Sequence, residues 1–260
     1  YAVEGQDLKP FFNSNGSGKN FTLSFYVKAY QTGTYQVSIY KGFNVARFIS
    51  ATYTVTSSGT WQRVVLNFTG DTGTSGIPGD NTSGFLIDFK LGAGTNYTSG
   101  TPVTSWGGFS NAVFASGQAV NVLSSTDNYW RITGIQLEVG SVVTPFEHRS
   151  FADELMRCYR YFYGPTGEGL FGVGRTTNAS TMWSVQFPTQ MRDNPSLSIT
   201  STTITIAEPN QSNFNITSAS IANAHISKNT AAFYLNGTMS VSVGDNLFLT
   251  DDYLMFNAEL

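Results

Sequence analysis

Residues 130–162 read WRITGIQLEVGSVVTPFEHRSFADELMRCYRYF, and this stretch decides how the remainder is read. It is a strand, a loop and a helix in succession. Trp130–Val139 carries the β-branched and aromatic residues of a strand. Thr144-Pro145 then favours extended backbone ahead of the proline. Ser150 is a good N-cap, with Asp153 three residues on as an aspartate version of the capping box. Asp153 and Arg157 stand at i,i+4 in the favourable acid-first order, worth about 0.3–0.5 kcal/mol when exposed. Phe151, Leu155, Tyr159 and Phe162 fall on one stripe, and Ala152, Met156 and Tyr163 widen it. A stripe that broad on a helix of about three turns predicts burial on more than one side. The helix is therefore expected to couple two β-rich bodies, or subunits. Cys158, the only cysteine, lies in it, so no intrachain disulfide can form and a buried, inert thiol is expected.

Upstream of this stretch the chain alternates with period two. Phe21, Leu23, Phe25, Val27 and Ala29 point one way, with Thr22, Ser24, Tyr26 and Lys28 opposite. After Gly33 the core positions are Tyr35, Val37 and Ile39, and a third strand is expected over 45–55. The turn Ser57-Ser58-Gly59 leads into 61–68, and a long polar loop precedes 85–91, where Phe85, Ile87, Phe89 and Leu91 take every second place. Between 92 and 128 the pattern degrades, and a loop that long is either functional or held down by its own aromatic residues. In Trp130–Val139 the alternation slips at Gly134, which predicts a bulge. Sequential strands joined by glycine-rich polar connections, with no helical repeat, mean a sandwich or a barrel.

Downstream, residues 171–175, 182–187, 197–206, 214–216, 231–235, 239–243, 247–249 and 253–258 read as strands. Asn236-Gly237 is a strong two-residue hairpin signal, and Gly244-Asp245-Asn246 reads as another tight turn. No fixed repeat period is visible, which argues against a β-helix. The fold class is all-β, in two β bodies with a short helix between them.

Charged residues are 12% of the 260, and the net charge is −3, so no basic field attracts nucleic acid or anionic lipid. No apolar run approaches the ~20 residues of a membrane span. The chain starts at Tyr1 rather than Met, and a fragment of something longer is expected. Catalytic motifs are missing: there is no GxSxG, no phosphate-binding glycine loop and no HxxxH spacing for His148 and His225. Asp88 and Glu138 are the carboxylates a glycosidase would have to place across a cleft, and charges on solvated sheet faces explain them equally well. Glu4, Asp7 and Glu138 are too scattered to assign to calcium. No enzyme activity, cofactor or metal is expected.

Features suited to sugar binding are softer. Tyr97, Trp106 and Phe109 lie in the long irregular loop, where aromatic faces can stack on pyranose rings; the bland alternative is that Trp106 and Phe109 plug the loop onto the sandwich. Trp61 and Trp130 begin strands and read as rim or core packing. In the second body Glu208, Asn210, Gln211 and Asn213 form one polar loop, and the segment from Asn223 to Asn229 reads as another, rich in glycan hydrogen-bonding groups.

The junction QLEVGSVVTPFEHRSFADELMRCYRYF resembles that of many tailed-phage tail-fibre and related virion-surface proteins, in which a jelly roll ends in a GxQLE-type strand and a TPFExRS loop, and a helix ending in Cys-x-Arg-Tyr leads to a C-terminal β domain. GKNFTLSFYVKA, TWQRVVLNF and FPTQMRDNPSL resemble the same proteins, so the likeness runs from Gly18 to Leu197 and more loosely to the final AEL. It implies an N-terminal jelly-roll β-sandwich over 1–145, similar to carbohydrate-binding modules, a linking loop and helix over 146–163, and a C-terminal β-sandwich-like domain over 164–260. The implied protein is a virion receptor-binding homotrimer, extracellular, partnered by other tail proteins and a host-surface glycan, with Phe151, Leu155, Tyr159 and Phe162 at the subunit interface and no membrane insertion. On that likeness, a fibre's C-terminal end being its distal one, the second domain's loops are the favoured receptor surface. The competing classes are a carbohydrate-binding module of a secreted bacterial enzyme and a purely structural virion protein.

Overall fold

The computed structural model describes residues 1–14, 16–41, 47–73, 76–165, 170–176, 179–207, 213–249 and 254–259. It is all-β and divides into two units, Tyr1–His148 and Arg149–Glu259.

The first unit is a two-sheet antiparallel sandwich. One sheet has the order β1-β6-β3-β4-β7, from Ala2–Glu4 (β1), Gly33–Lys41 (β3), Arg47–Val55 (β4), Ser83–Phe89 (β6) and Gly107–Gly108 (β7). The other has the order β5-β2-β8, from Phe21–Ala29 (β2), Gln62–Phe68 (β5) and Trp130–Val139 (β8). The inward positions are those the alternation marks. Phe21, Leu23, Phe25, Val27, Tyr35, Val37, Ile39, Val64, Leu66, Phe85 and Ile87 are all buried in one core. Phe21 stacks on Phe68, and Phe25 meets Tyr53 and Phe89 edge-on, both at 5.2 Å. The bulge falls where the alternation slips: Gly134 has φ +59°, and the β2–β8 register shifts between Ser24 and Tyr26.

The outward face of the larger sheet is covered around Gln36, Ser38 and Ser50, while Thr52, Thr54 and Leu86 on the same face stay exposed. Residues 92–128, including the helical turn Thr95–Thr98 (α1), lie over the covered part. Ser50 N–H donates to Val103 O (2.7 Å) and Ala119 N–H to Thr34 O (3.0 Å), while Gln36 receives Gly117 N–H and gives its own backbone N–H to Gln118. Gln36 and Ser38 are buried as a result, and their polar groups are hydrogen-bonded, which offsets the desolvation.

The second unit holds the helix Phe151–Tyr159 (α2) and a closed antiparallel barrel of order β10-β11-β15-β14-β13-β16. The barrel strands are Phe171–Thr176 (β10), Ser180–Gln186 (β11), Ile204–Ala207 (β13), Phe214–Ile226 (β14), Thr230–Thr238 (β15) and Asn246–Leu249 (β16). A small sheet of order β12-β17-β9 accompanies it, from Phe162–Tyr163 (β9), Ser196–Ile199 (β12) and Leu254–Asn257 (β17).

The all-β second unit takes the specific form of a closed barrel with a small sheet, because β13 pairs with both β14 and β16. Several expectations are corrected here. The single strand expected over 197–206 is broken into β12 and β13, with Thr203 N–H bonded to Ser201 Oγ in the bend between them. Asn236-Gly237 makes no hairpin. It lies inside β15, where Asn236 pairs with Ser180 and Ser220. A Cβ on Gly237 would meet Ile216 Cγ2 and Thr217 O at 2.6 Å, so the glycine serves close approach of β14 rather than a turn. The actual β14–β15 turn is at Ser227, whose N–H bonds Thr230 O. The 223–229 segment is thus largely strand rather than loop. Residues 239–243 are not a strand, and Tyr253 and residues 42–46 lie outside the described residues.

The linking segment expected over 146–163 divides at His148, and α2 belongs to the second unit. Arg192 N–H donates to Arg160 O (2.7 Å) and Ala258 N–H to Tyr161 O (2.8 Å), which ties the helix exit to that unit. The cap forms as its sequence predicts: Ser150 Oγ accepts Asp153 N–H at 3.1 Å and donates to Asp153 Oδ2 at 2.6 Å. Drawn to the cap, Asp153 does not pair with Arg157, and Arg149 meets Glu154 instead. None of α2 is buried in the single chain, Phe151 being 82% exposed. Cys158 is exposed too, contrary to the expected buried thiol.

Candidate functional site

The junction loop is clamped along the outer face of the β5-β2-β8 sheet. Gln136 Nε2 donates to Thr144 Oγ1 (3.1 Å) and Pro145 O (3.3 Å), and its Oε1 accepts Glu147 N–H (2.8 Å). Glu138 accepts both the N–H and the hydroxyl of Thr144, and Arg63 donates to Thr144 O at 2.7 Å. The spacing of Gln136 and Glu138 puts both on one face of β8, which explains why a QLE strand end is followed by a TPFE loop. Partial burial raises the Glu138 pKa, and hydrogen bonds from Thr144 and Gln136 more than reverse this, so its carboxyl lies below the ordinary glutamate range. A depressed carboxylate stabilises above its unfolded pKa, and that contribution is lost as pH falls through the lower folded value. Glu138→Ala is expected to weaken the clamp by about 1 kcal/mol. The check is faster amide exchange at Thr144 and Glu147, with the wild type approaching the variant only in acid.

The same face, followed towards its other end, carries aromatic and cationic side chains. The register pairs Tyr26 with Arg63 and Thr133, and Lys28 with Arg131. Trp61 precedes Gln62, the partner of Val27, and so sits beside Lys28. Beyond them Tyr30 N–H donates to Tyr129 O (3.0 Å), the two rings lie 6.1 Å apart, and Arg131 stands over the Tyr129 ring at 4.9 Å. Trp61 is 44% exposed and Tyr30 51%. Sequence reading took Trp61 for rim or core packing. The available signal was its parity with Arg63 and Val65, which marks it as outward.

The aromatic residues singled out in the long loop are engaged in packing. Trp106 donates Nε1–H to Thr69 O (2.7 Å) and sets its ring against Phe85 at 5.8 Å, at the edge of the core. Phe109 packs on Tyr40 (5.1 Å), Phe48 (5.9 Å) and Phe114 (6.0 Å), and Tyr97 on Phe114 (5.7 Å). Lys90 Nζ, ion-paired with Asp88 at 3.0 Å, stands 3.2 Å from the Phe114 ring centroid beneath this cluster. These rings hold the loop down, and Tyr97 and Phe109 keep an exposed edge. Trp130 packs on Phe89 and bonds Tyr53 Oη (2.9 Å), as expected of a core tryptophan.

Of the polar candidates in the second unit, Glu208, Asn210 and Gln211 lie outside the described residues. Asn213 is exposed just before β14, and Asn229 is exposed beside the β14–β15 turn. Asn223 belongs to β14, inside a register shift between Ala222 and His225.

The two strand carboxylates do not flank a cleft. Asp88 pairs with Ser38 on the outer face of the larger sheet and Glu138 with Thr22 on the outer face of the smaller one, with the whole core between them. Glu4 accepts from Gln6, and among the described residues no three metal-ligating side chains converge. An open depression of about 350 Å³ is lined by Lys9, Phe12, Asn13, Ile77 and Pro78, with Lys9 its one charged group among the described residues. No family model matches the chain, and comparison with curated proteins and with solved structures finds no match.

Proposed function

We propose that this chain is a non-enzymatic attachment protein of a tailed-phage virion, extracellular in action, which engages glycans on the host surface and is held in the fibre by other tail proteins. The observation that carries the reading is the outer face of the β5-β2-β8 sheet. It offers to solvent Tyr26 within β2, Trp61 immediately before β5 and Tyr30 immediately after β2. Aromatic faces on an open sheet suit stacking against sugar rings. The competing surface is that of the second unit's exposed Asn213 and Asn229. The test is adsorption of the labelled full chain to a panel of bacterial hosts. Loss of adsorption in Trp61→Ala and Tyr30→Ala supports the sheet face. Loss only in Asn213→Ala and Asn229→Ala moves the contact to the second unit, and no adsorption to any host overturns the attachment reading.

The same reading includes a homotrimer joined through α2. Phe151, Leu155 and Tyr159 lie along one stripe of α2 and Phe162 follows in β9, with Phe151 and Phe162 exposed in the single chain. Subunits around a three-fold axis would bury these rings against one another. Leu155→Asp is expected to convert trimer to monomer, since it places a charge in a desolvated contact. Sedimentation of wild type and variant checks this. A wild-type monomer removes the trimer and favours a module of the kind attached to secreted enzymes.

A further inference from the structure

Building on that attachment reading, we infer that the β5-β2-β8 face takes an acidic saccharide, one bearing carboxylate or sulfate groups, rather than a neutral one. Lys28 and Arg131 are direct cross-strand partners on this face. Like charges placed opposite one another destabilise a sheet, and a carboxylate beside them normally offsets this. Among the described residues neither has an ion-pair partner, and Arg131 has only the Tyr129 ring beneath it. Two further charged strand residues on the face, Arg63 and Glu138, are turned to the junction loop by their bonds to Thr144, and Glu147 is held on that loop by its N–H bond to Gln136.

An anion seated between Lys28 and Arg131 relieves the repulsion and gains charge-assisted hydrogen bonds. Trp61 flanks Lys28 on one side, while Tyr129 and Tyr30 continue the surface beyond Arg131. Three neighbouring strands span about 10 Å, so a single acidic group with its sugar ring covers the site. Gly59, with φ +67° in the turn before Trp61, gives its N–H to Ala29 O, and a side chain there would crowd the Tyr129 hydroxyl at 3.2 Å. A nucleic acid strand is the weaker fit, because only two cations are free here and the chain as a whole is acidic, with a net charge of −3.

The test is calorimetric titration of the full chain with oligogalacturonate and with a sulfated galactan oligosaccharide. The methyl ester of the first, the desulfated form of the second and a single-stranded oligonucleotide serve as comparison ligands. One acidic saccharide is expected to bind, with an affinity that falls as salt rises. Removing its charges, or substituting Lys28→Gln or Arg131→Gln, should weaken it about tenfold or more, as loss of a charge-assisted contact does. Trp61→Ala should weaken acidic and neutral forms alike, and Lys28→Gln and Arg131→Gln should melt no lower than wild type, since each removes the cross-strand repulsion. Equal binding of charged and uncharged forms, or binding indifferent to Lys28 and Arg131, overturns the acidic assignment. So does failure of both acidic saccharides to bind, or oligonucleotide binding with the same variant sensitivity. If cells are adsorbed in a Trp61-dependent way while these outcomes fail, the attachment reading stands and only the ligand class falls.

Discussion

Asp71→Asn is expected to cost the first unit about 3–5 kcal/mol, because it leaves a buried ammonium without its counter-charge. Lys41 and Asp71 side chains are each 1% exposed and meet at 2.8 Å. The same carboxylate receives Arg47 Nη2 at 2.6 Å and Gly73 N–H at 2.9 Å, and the Asp71 carbonyl accepts Gly18 N–H. One residue in the loop after β5 therefore holds the end of β3, the start of β4 and the chain entering β2. Replacing the pair together, as Lys41→Met with Asp71→Leu, should cost much less than Asp71→Asn alone. Arg47, 26% exposed at its side chain, can then turn to water. Burial alone would raise the Asp71 pKa; hydrogen bonds from Arg47, Lys41 and Gly73 override it and hold the carboxyl at about 2. With the folded pKa below the unfolded one, the stabilisation is complete above pH ~4 and is lost as pH falls through about 2, a swing of about 2 kcal/mol. Amide exchange in β2, β3 and β4 reads the first unit separately from the second. Unchanged protection in Asp71→Asn would remove the ion cluster from the account of stability.

Trp183→Ala is expected to destabilise the barrel by about 3–5 kcal/mol, the cost of a large buried aromatic lost from a closed core. Trp183 is fully buried, and its Nε1–H donates to Thr181 Oγ1 at 2.7 Å, so the indole is hydrogen-bonded inside. Its cross-strand partner is Gly172, where an added Cβ would sit 2.6 Å from the indole ring. Gly172→Ala should therefore cost about 1–3 kcal/mol by overpacking. The two effects are coupled through one contact, so Gly172→Ala should become nearly neutral in a Trp183→Leu background. Urea unfolding of the four chains, followed by near-ultraviolet dichroism, measures the cycle. Additive penalties would show that the glycine is there for some reason other than the tryptophan.

What the sequence determined by itself is the local chemistry. Alternation in β2, β3, β5 and β6 marked the inward residues because side chains on a strand point to opposite faces whatever lies beyond them. Ser150 and Asp153 marked the helix start, and Gly134 marked the bulge, because each answers to its own backbone. Only tertiary structure decided what covers each face. Gln36 and Ser38 are polar and outward, yet buried, since residues 92–128 settle over them. Trp106 turns in and Trp61 turns out, a difference of register and neighbours that the residue type does not carry. Asn236-Gly237 has the chemistry of a turn, but the packing of β14 against Gly237 uses it as strand. Pairing of β13 on both sides closed a barrel in the body expected to be sandwich-like, because closure depends on which distant edges meet. The apolar stripe of α2 was legible residue by residue. Phe151 and Phe162 stay exposed in the single chain, and no pattern within one sequence specifies a partner for them.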